Sequence, residues 1–274
     1  MRKSVCRGAE FDVGWRRPMN FHHVSPEVRP LFEKHGLLDF AELMGGEVGV
    51  LLSAEKGGRE VRRLELDGRT FYLKRRGAES PMLSMLLFGH RPRSGPMREA
   101  LMLDRLSDAG FLSMVPVAWG ERRRWGLPKG GFLVVRGIEG EDVAKFFDRS
   151  SGAVRLAVMK EMGHLVGRLH AAGFFHPVRL KDLIRSEEGM TLIDRETSKP
   201  WPKHWFTLTS CLRSLARSAR RTLRDGHRIG AGSAGTFLRG YHQGLGAKAG
   251  NVKLRALASR VMKQVRAELG KAKR

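Results

Sequence analysis

Three charged positions, taken in chain order, could together hold a phosphorylated ligand. They are Lys74, at the end of the alternating run Thr70-Phe71-Tyr72-Leu73; Glu99, within "PMREALMLDRLSDAGF"; and Asp194, within "TLIDRE". A strand-end lysine can reach phosphate oxygens, and a carboxylate on the next helix can fix that lysine by an ion pair. An aspartate delivered by a short apolar strand suits Mg²⁺, which takes oxygen ligands and usually shares them with phosphates. Each residue also has a plainer reading: an exposed lysine, a solvated helix carboxylate, a turn aspartate. The specific signal is the order and spacing of the three, with a helix ending "GRLHAAGFFH" between the second and the third.

These residues need elements to position them. Residues 1–30 read as a loosely ordered arm, followed by a short helix across "PEVRPLFEKHGLLDFAELM". The runs "GVLLSAE", "EVRRLELDG" and "TFYLKRR" are three strands in succession, joined at Gly57-Gly58 and Asp67-Gly68, as tight hairpins require. Lys74 sits on the third of them. Glu99 lies on a helix closed by Gly110, where glycine takes the left-handed conformation that ends a helix. Two more strands, "SMVPVAWGERR" and "GGFLVVRGI", come next. From about Asp142 the pattern turns helical, with Val158, Met162, Leu165, Val166 and Leu169 at helical spacing up to Gly173. A sheet-rich first half and a helical second half predict an α+β chain of two lobes. The expected divisions are an arm over 1–34, a first lobe over 35–137 and a helical lobe over 138–274.

At 274 residues and 41% hydrophobic composition, the chain can bury a substantial core. Its formal charge of +23, from 51 Lys+Arg against 28 Asp+Glu, favours a polyanionic partner: nucleic acid, an acidic membrane or a phosphorylated glycolipid. Cys6 and Cys211 lie far apart and form no metal-ligand pattern, which argues against a disulfide framework and fits a reducing compartment. The basic N-terminus lacks the apolar run of a signal peptide, and no stretch is apolar enough to span a bilayer. A cytoplasmic protein, peripheral to a membrane, is the expectation.

The motifs "HGLLDFAELM", "RRLELDGRTFYLKR", "REALMLDRLSDAGF", "GFLVVRGIEG", "LHAAGFFHP", "TLIDRE" and "FLRGYHQ" resemble those of the lipopolysaccharide core kinases. That family includes the heptose and Kdo kinases and is a branch of the protein-kinase-like fold; the resemblance runs from about residue 35 to 243. It implies a bilobal architecture, with an antiparallel sheet and one helix in the first lobe and mostly helices in the second. It also implies ATP and Mg²⁺, with Lys74 on the phosphates, Glu99 paired to it, Asp194 on the metal, and Gly131 to Gly140 as a hinge. The implied activity is ATP-dependent phosphorylation of a sugar hydroxyl of the lipopolysaccharide inner core.

The sequence departs from that family at two places. No GxGxxG lies between the first two strands, and Val178 stands two residues after His176, where the family has its catalytic aspartate. Valine can neither accept nor orient a proton. Read without a gap, the downstream metal-facing position falls on Leu183. A one-residue deletion in the loop moves it to Asp182 and returns Leu180, Leu183 and Ile184 to packing positions. Asp182 is then a candidate metal ligand or displaced base, or else a solvated loop acid. Lys181 is a candidate for stabilising the transferred phosphate, or an exposed loop lysine. His176 reads as a structural brace.

Two surfaces could meet a lipid. Met82, Leu83, Met85, Leu86, Leu87 and Phe88 form an apolar patch between Arg75-Arg76 and Arg91/Arg93, as in peripheral proteins on anionic bilayers, or else a helix packed on the first lobe. Arg213, Arg217, Arg220, Arg221 and Arg224 lie along one helix and suit glycolipid phosphates, or a solvated basic face. Nucleic-acid binding is motivated by charge alone, with no zinc pattern or aromatic RNA-binding signature. Two functional readings therefore stand: a sugar kinase with a displaced or substrate-assisted base, and a pseudokinase that binds nucleotide or anionic glycolipid without turnover.

Overall fold

The structure, a computed structural model, describes residues 19–55, 58–79, 91–195, 207–250 and 253–271. The described chain forms two compact units, one running up to Ile138 and including Asp194 and Arg195, the other holding Glu139–Ile193 and the residues from 207 onward.

The first unit is built on a six-stranded antiparallel sheet. Its strands are β1 (Met19–Val24), β2 (Val50–Glu55), β3 (Arg59–Leu66), β4 (Arg69–Arg76), β5 (Pro116–Arg124) and β6 (Leu127–Arg136), ordered β1-β5-β6-β4-β3-β2. The expected β2-β3-β4 meander is present, and its Asp67-Gly68 turn has both residues at positive φ (48° and 75°), matching the twist of the flanking strands. β4 has alternate faces. Phe71 and Leu73 join Phe32, Phe40, Leu64 and Phe132 in an apolar core, while Tyr72 and Lys74 turn the other way.

Two short helices, α1 (Arg29–Lys34) and α2 (Phe40–Gly45), supply Phe32, Phe40 and Leu43 to that core. The sequence suggests one helix here; Gly36, at φ 69°, interrupts it, and Asp39 restarts it by accepting a 2.9 Å hydrogen bond from Ala41 N–H. The helix α3 (Gly95–Asp108) packs on β4, β5 and β6. It is capped by Ser94 and closed at Gly110 (φ 77°), where Phe111 N–H reaches Leu106 O.

The expectation of a loosely ordered arm over residues 1–30 is corrected at Met19. Residues 19–24 pair in register with β5 as an edge strand, and Val24 and Val28 enter the core. The apolar patch expected at Met82–Phe88 lies outside the described residues, as does Gly57.

The second unit begins with a small sheet, β7 (Glu141–Asp142), β8 (Leu183–Ser186) and β9 (Gly189–Leu192), beside α4 (Val143–Arg149). Its helical part holds α5 (Gly152–Ala171), α6 (Leu208–Arg224), α7 (Ala231–Leu245) and α8 (Leu254–Lys271). Gly163, Gly167, Gly240 and Gly244 let the α5 and α7 backbones touch; a Cβ on any of them would fall inside contact distance of a carbonyl on the facing helix. α6 contributes Cys211, Ser214, Leu215, Ser218 and Thr222 to the interior. There His170 bridges the Tyr241 hydroxyl (2.9 Å) and Ser214 Oγ (3.0 Å), so a fully buried imidazole has partners on both ring nitrogens. α8 packs on α6 and α7 through Leu257, Val261 and Val265.

Candidate functional site

In the first unit, β4 and α3 bring Lys74 and Glu99 together. Lys74 Nζ donates to Glu99 Oε1 at 2.5 Å, with side-chain exposures of 13% and 3%. The pleat aims Lys74 away from the Phe71/Leu73 face, and α3 presents Glu99 on its buried side. Asp194, directly after β9 and Ile193, lies in the same unit, with Oδ1 3.7 Å from Lys74 Nζ. Burial alone would push the Lys74 pKa down. The Glu99 and Asp194 carboxylates outweigh it and hold the ammonium above the ordinary lysine value, so the charge is firmly present at neutral pH.

Asp194 adopts φ 50°, a left-handed conformation sparsely populated by non-glycine residues, and its side chain is 40% exposed. Such backbone outliers gather at ligand sites. A fourth member, missed by the sequence reading, is Arg59: its Nη2 lies 3.4 Å from Asp194 Oδ1. Arg59 opens β3 directly after Gly58, which lies at φ 73°. The one available signal was a cation at that position.

The second unit holds the other predicted residues. His176-Pro177-Val178 leads into a 3₁₀ turn at Leu180–Asp182. Val178 is 1% exposed, and its N–H donates to Ser218 Oγ at 3.0 Å, so this valine is a packing residue. Leu180 and Leu183 are fully buried, which removes Leu183 from any metal-facing role.

Asp182 is not the solvated acid or open ligand that the loop sequence allows. It is 3% exposed, and both of its oxygens are engaged by Arg179: backbone N–H to Oδ2 at 2.9 Å, Nε and Nη2 to Oδ1 at 2.9 and 2.6 Å. Lys181, 43% exposed, pairs with Asp225 at 3.1 Å, and Arg179 reaches the same Asp225 at 3.7 Å. These four residues therefore form one ion network that fixes the loop.

Lys74, Arg59, Glu99 and Asp194 combine two cations with one accessible carboxylate. That donor set fits a polyphosphate carrying a hard divalent ion, which needs one or two carboxylates beside the phosphate oxygens. Among the described residues no group of three or more His, Cys, Asp or Glu side chains is placed to hold a metal alone. Among the same residues no helix is long and apolar enough to cross a membrane.

Comparison with known proteins gives a family and a fold. The family model described as "Lipopolysaccharide kinase (Kdo/WaaP) family" matches residues 53–221. Among solved structures, WaaP in complex with acyl carrier protein aligns over 89% of this chain and 98% of its own, at 20% identity and a TM-score of 0.55. The MAP kinase LmaMPK10 from Leishmania major covers 78% of this chain and 60% of its own, at 11% identity and a TM-score of 0.37. Vaccinia related kinase 3 covers 79% and 70%, at 14% identity and a TM-score of 0.33. Among curated proteins no match is found. The α+β, kinase-like fold expected from the sequence is the fold the WaaP alignment shows.

Proposed function

Because the chain belongs to the lipopolysaccharide kinase (Kdo/WaaP) family, we propose that it transfers the γ-phosphoryl group of ATP to a sugar hydroxyl of an anionic glycolipid of the lipopolysaccharide inner core. One observation carries this reading: the Lys74 ammonium is held by Glu99 at 2.5 Å and lies 3.7 Å from the partly exposed Asp194 carboxylate.

In this reading Lys74 binds phosphate oxygens. Glu99 fixes the lysine's position and offsets the cost of burying its charge. Asp194 is the carboxylate for Mg²⁺, and Arg59 adds a second cation where glycine-rich backbone is missing. Asp194 would hold the divalent ion, which would supply positive charge to offset that of the phosphates. Phosphoryl transfer is carried largely by positioning and charge stabilisation, so the loss of a carboxylate at Val178 slows the reaction without forbidding it. Asp182 serves as a brace through Arg179, and a direct role as base or metal ligand requires Arg179 to release it. Lys181 would reach a transferring phosphate only by leaving Asp225. The protein acts in the cytoplasm, against the inner leaflet that presents such acceptors.

A second reading, nucleotide binding without turnover, is favoured by the buried Val178 and the clamped Asp182. Incubating the full chain with γ-labelled ATP, Mg²⁺ and deacylated lipopolysaccharide core separates the two. The kinase reading expects slow, Mg²⁺-dependent labelling of the saccharide, lost in Lys74→Ala and in Asp194→Ala. Nucleotide binding with no labelling supports the second reading, and the absence of both refutes each.

A further inference from the structure

The helix α6 has two faces of different character. Cys211, Ser214, Leu215, Ser218 and Thr222 are buried, and Ser218 Oγ accepts from the Val178 N–H while donating to Ser214 O. Beside that face, Arg217, Arg221 and Arg224 recur at i, i+4 and i+7 and lie along one stripe spanning about 10 Å. Arg217 and Arg224 are exposed and Arg221 is half-buried.

The cations of the adjoining loop are already matched. Arg179 is paired with Asp182 and Asp225, and Lys181 with Asp225. Arg221 is different: among the described residues its guanidinium makes no hydrogen bond or ion pair. Burial pushes its pKa down, the Arg179 charge pushes further, Asp182 offsets a part, and Arg224 and Arg217 add to the depression. A half-buried guanidinium beside three others, with five donors in a planar fork and none engaged, is complementary to an incoming anion that accepts bidentately.

We propose that Arg221, with Arg217 and Arg224 beside it, forms an anion site on the second unit that takes the phosphate groups of a phosphorylated saccharide headgroup. The saccharide rests on the kinase reading; the anion site does not, and it is measured without nucleotide. The cluster is compact and includes no aromatic ring. Single-stranded nucleic acid is instead met by grooves that track several nucleotides and by rings on which bases stack. Ser218 ties the same helix to the backbone at Val178, so an anion held by Arg221 is anchored to the loop where the family has its acceptor chemistry.

The test is calorimetric titration of the full chain, without nucleotide, with a bisphosphorylated glucosamine disaccharide. Inorganic phosphate, phosphatidylglycerol vesicles and single-stranded RNA serve as parallel probes. Arg221→Ala weakens disaccharide binding by about tenfold or more, as expected for loss of a bidentate contact, and Arg221→Lys weakens it less. Arg255→Ala, the same charge change at an exposed position on α8, leaves it unaltered. Equal weakening by Arg221→Ala and Arg255→Ala reduces the effect to diffuse charge and overturns the proposal. So does tighter, Arg221-dependent binding of phosphate, vesicles or RNA than of the disaccharide. Lys74→Met keeps disaccharide binding and Arg221→Ala keeps the nucleotide-induced thermal shift, so the kinase reading and the anion site fail separately.

Discussion

Lys74 and Val178 mark the two ends of what single residues reveal. Lys74 ends a run whose alternation places it opposite Phe71 and Leu73, and a buried lysine at that point demands a carboxylate; Glu99 meets the demand at 2.5 Å. Removing one member of such a pair is costly, because the other charge is left in the interior. Glu99→Gln therefore lowers unfolding stability by about 3–5 kcal/mol, and the double variant with Lys74→Met loses less than the sum of the single changes, as chemical denaturation of the four proteins would show.

Val178 reads in the sequence as a missing base. In the structure it is a core residue at 1% exposure, with its backbone tied to Ser218. Val178→Asp consequently does not restore a base: it buries an unpaired carboxylate, destabilising the protein by about 3 kcal/mol or more, and transfer rates stay flat. Lys74, Glu99 and Asp194 could be named from the sequence because their spacing along the chain is the signal. Arg59, the Arg179 clamp on Asp182 and the lack of a partner for Arg221 among the described residues could not, since each depends on which neighbours the fold delivers.

At the scale of elements, period and turn chemistry explain most of what could be anticipated. Asp67-Gly68 closes the β3–β4 hairpin, and Gly110 and Gly173 end α3 and α5, all three glycines at positive φ. The strand β1 was not legible, because "MNFHHV" has no clean alternation and sits among prolines and basic residues; its pairing is supplied by the open edge of β5. The break between α1 and α2 hinges on one glycine inside an otherwise continuous apolar pattern.

The contact of α5 with α7 carries its own prediction. Gly→Ala within a helix ordinarily stabilises by roughly 0.5–1 kcal/mol. At Gly240 a methyl would meet the Lys160 carbonyl, and at Gly163 the Phe237 carbonyl. Gly240→Ala and Gly163→Ala therefore lower the melting temperature, with a cost of about 1–3 kcal/mol as for other overpacked sites. Gly232→Ala, also on α7 but with its nearest neighbour at 3.9 Å, does not.

For the whole molecule, the +23 charge favours a polyanionic partner, while the family match supplies the class of chemistry and the WaaP alignment the fold. Composition alone left nucleic acid, membrane and glycolipid open; the anion site proposed at Arg221, whose guanidinium has no hydrogen-bond or ion-pair partner among the described residues, favours the glycolipid. The central claim is that Lys74 and Asp194 serve one bound nucleotide, the lysine on phosphate and the aspartate through Mg²⁺. Thermal denaturation with ATP, with and without Mg²⁺, compared among the wild type, Lys74→Met and Asp194→Asn, tests it most directly. The account predicts a rise in melting temperature with ATP that Mg²⁺ enlarges in the wild type, no Mg²⁺ enhancement in Asp194→Asn, and little rise of either kind in Lys74→Met. Equal shifts in all three proteins, or none in the wild type, would contradict it.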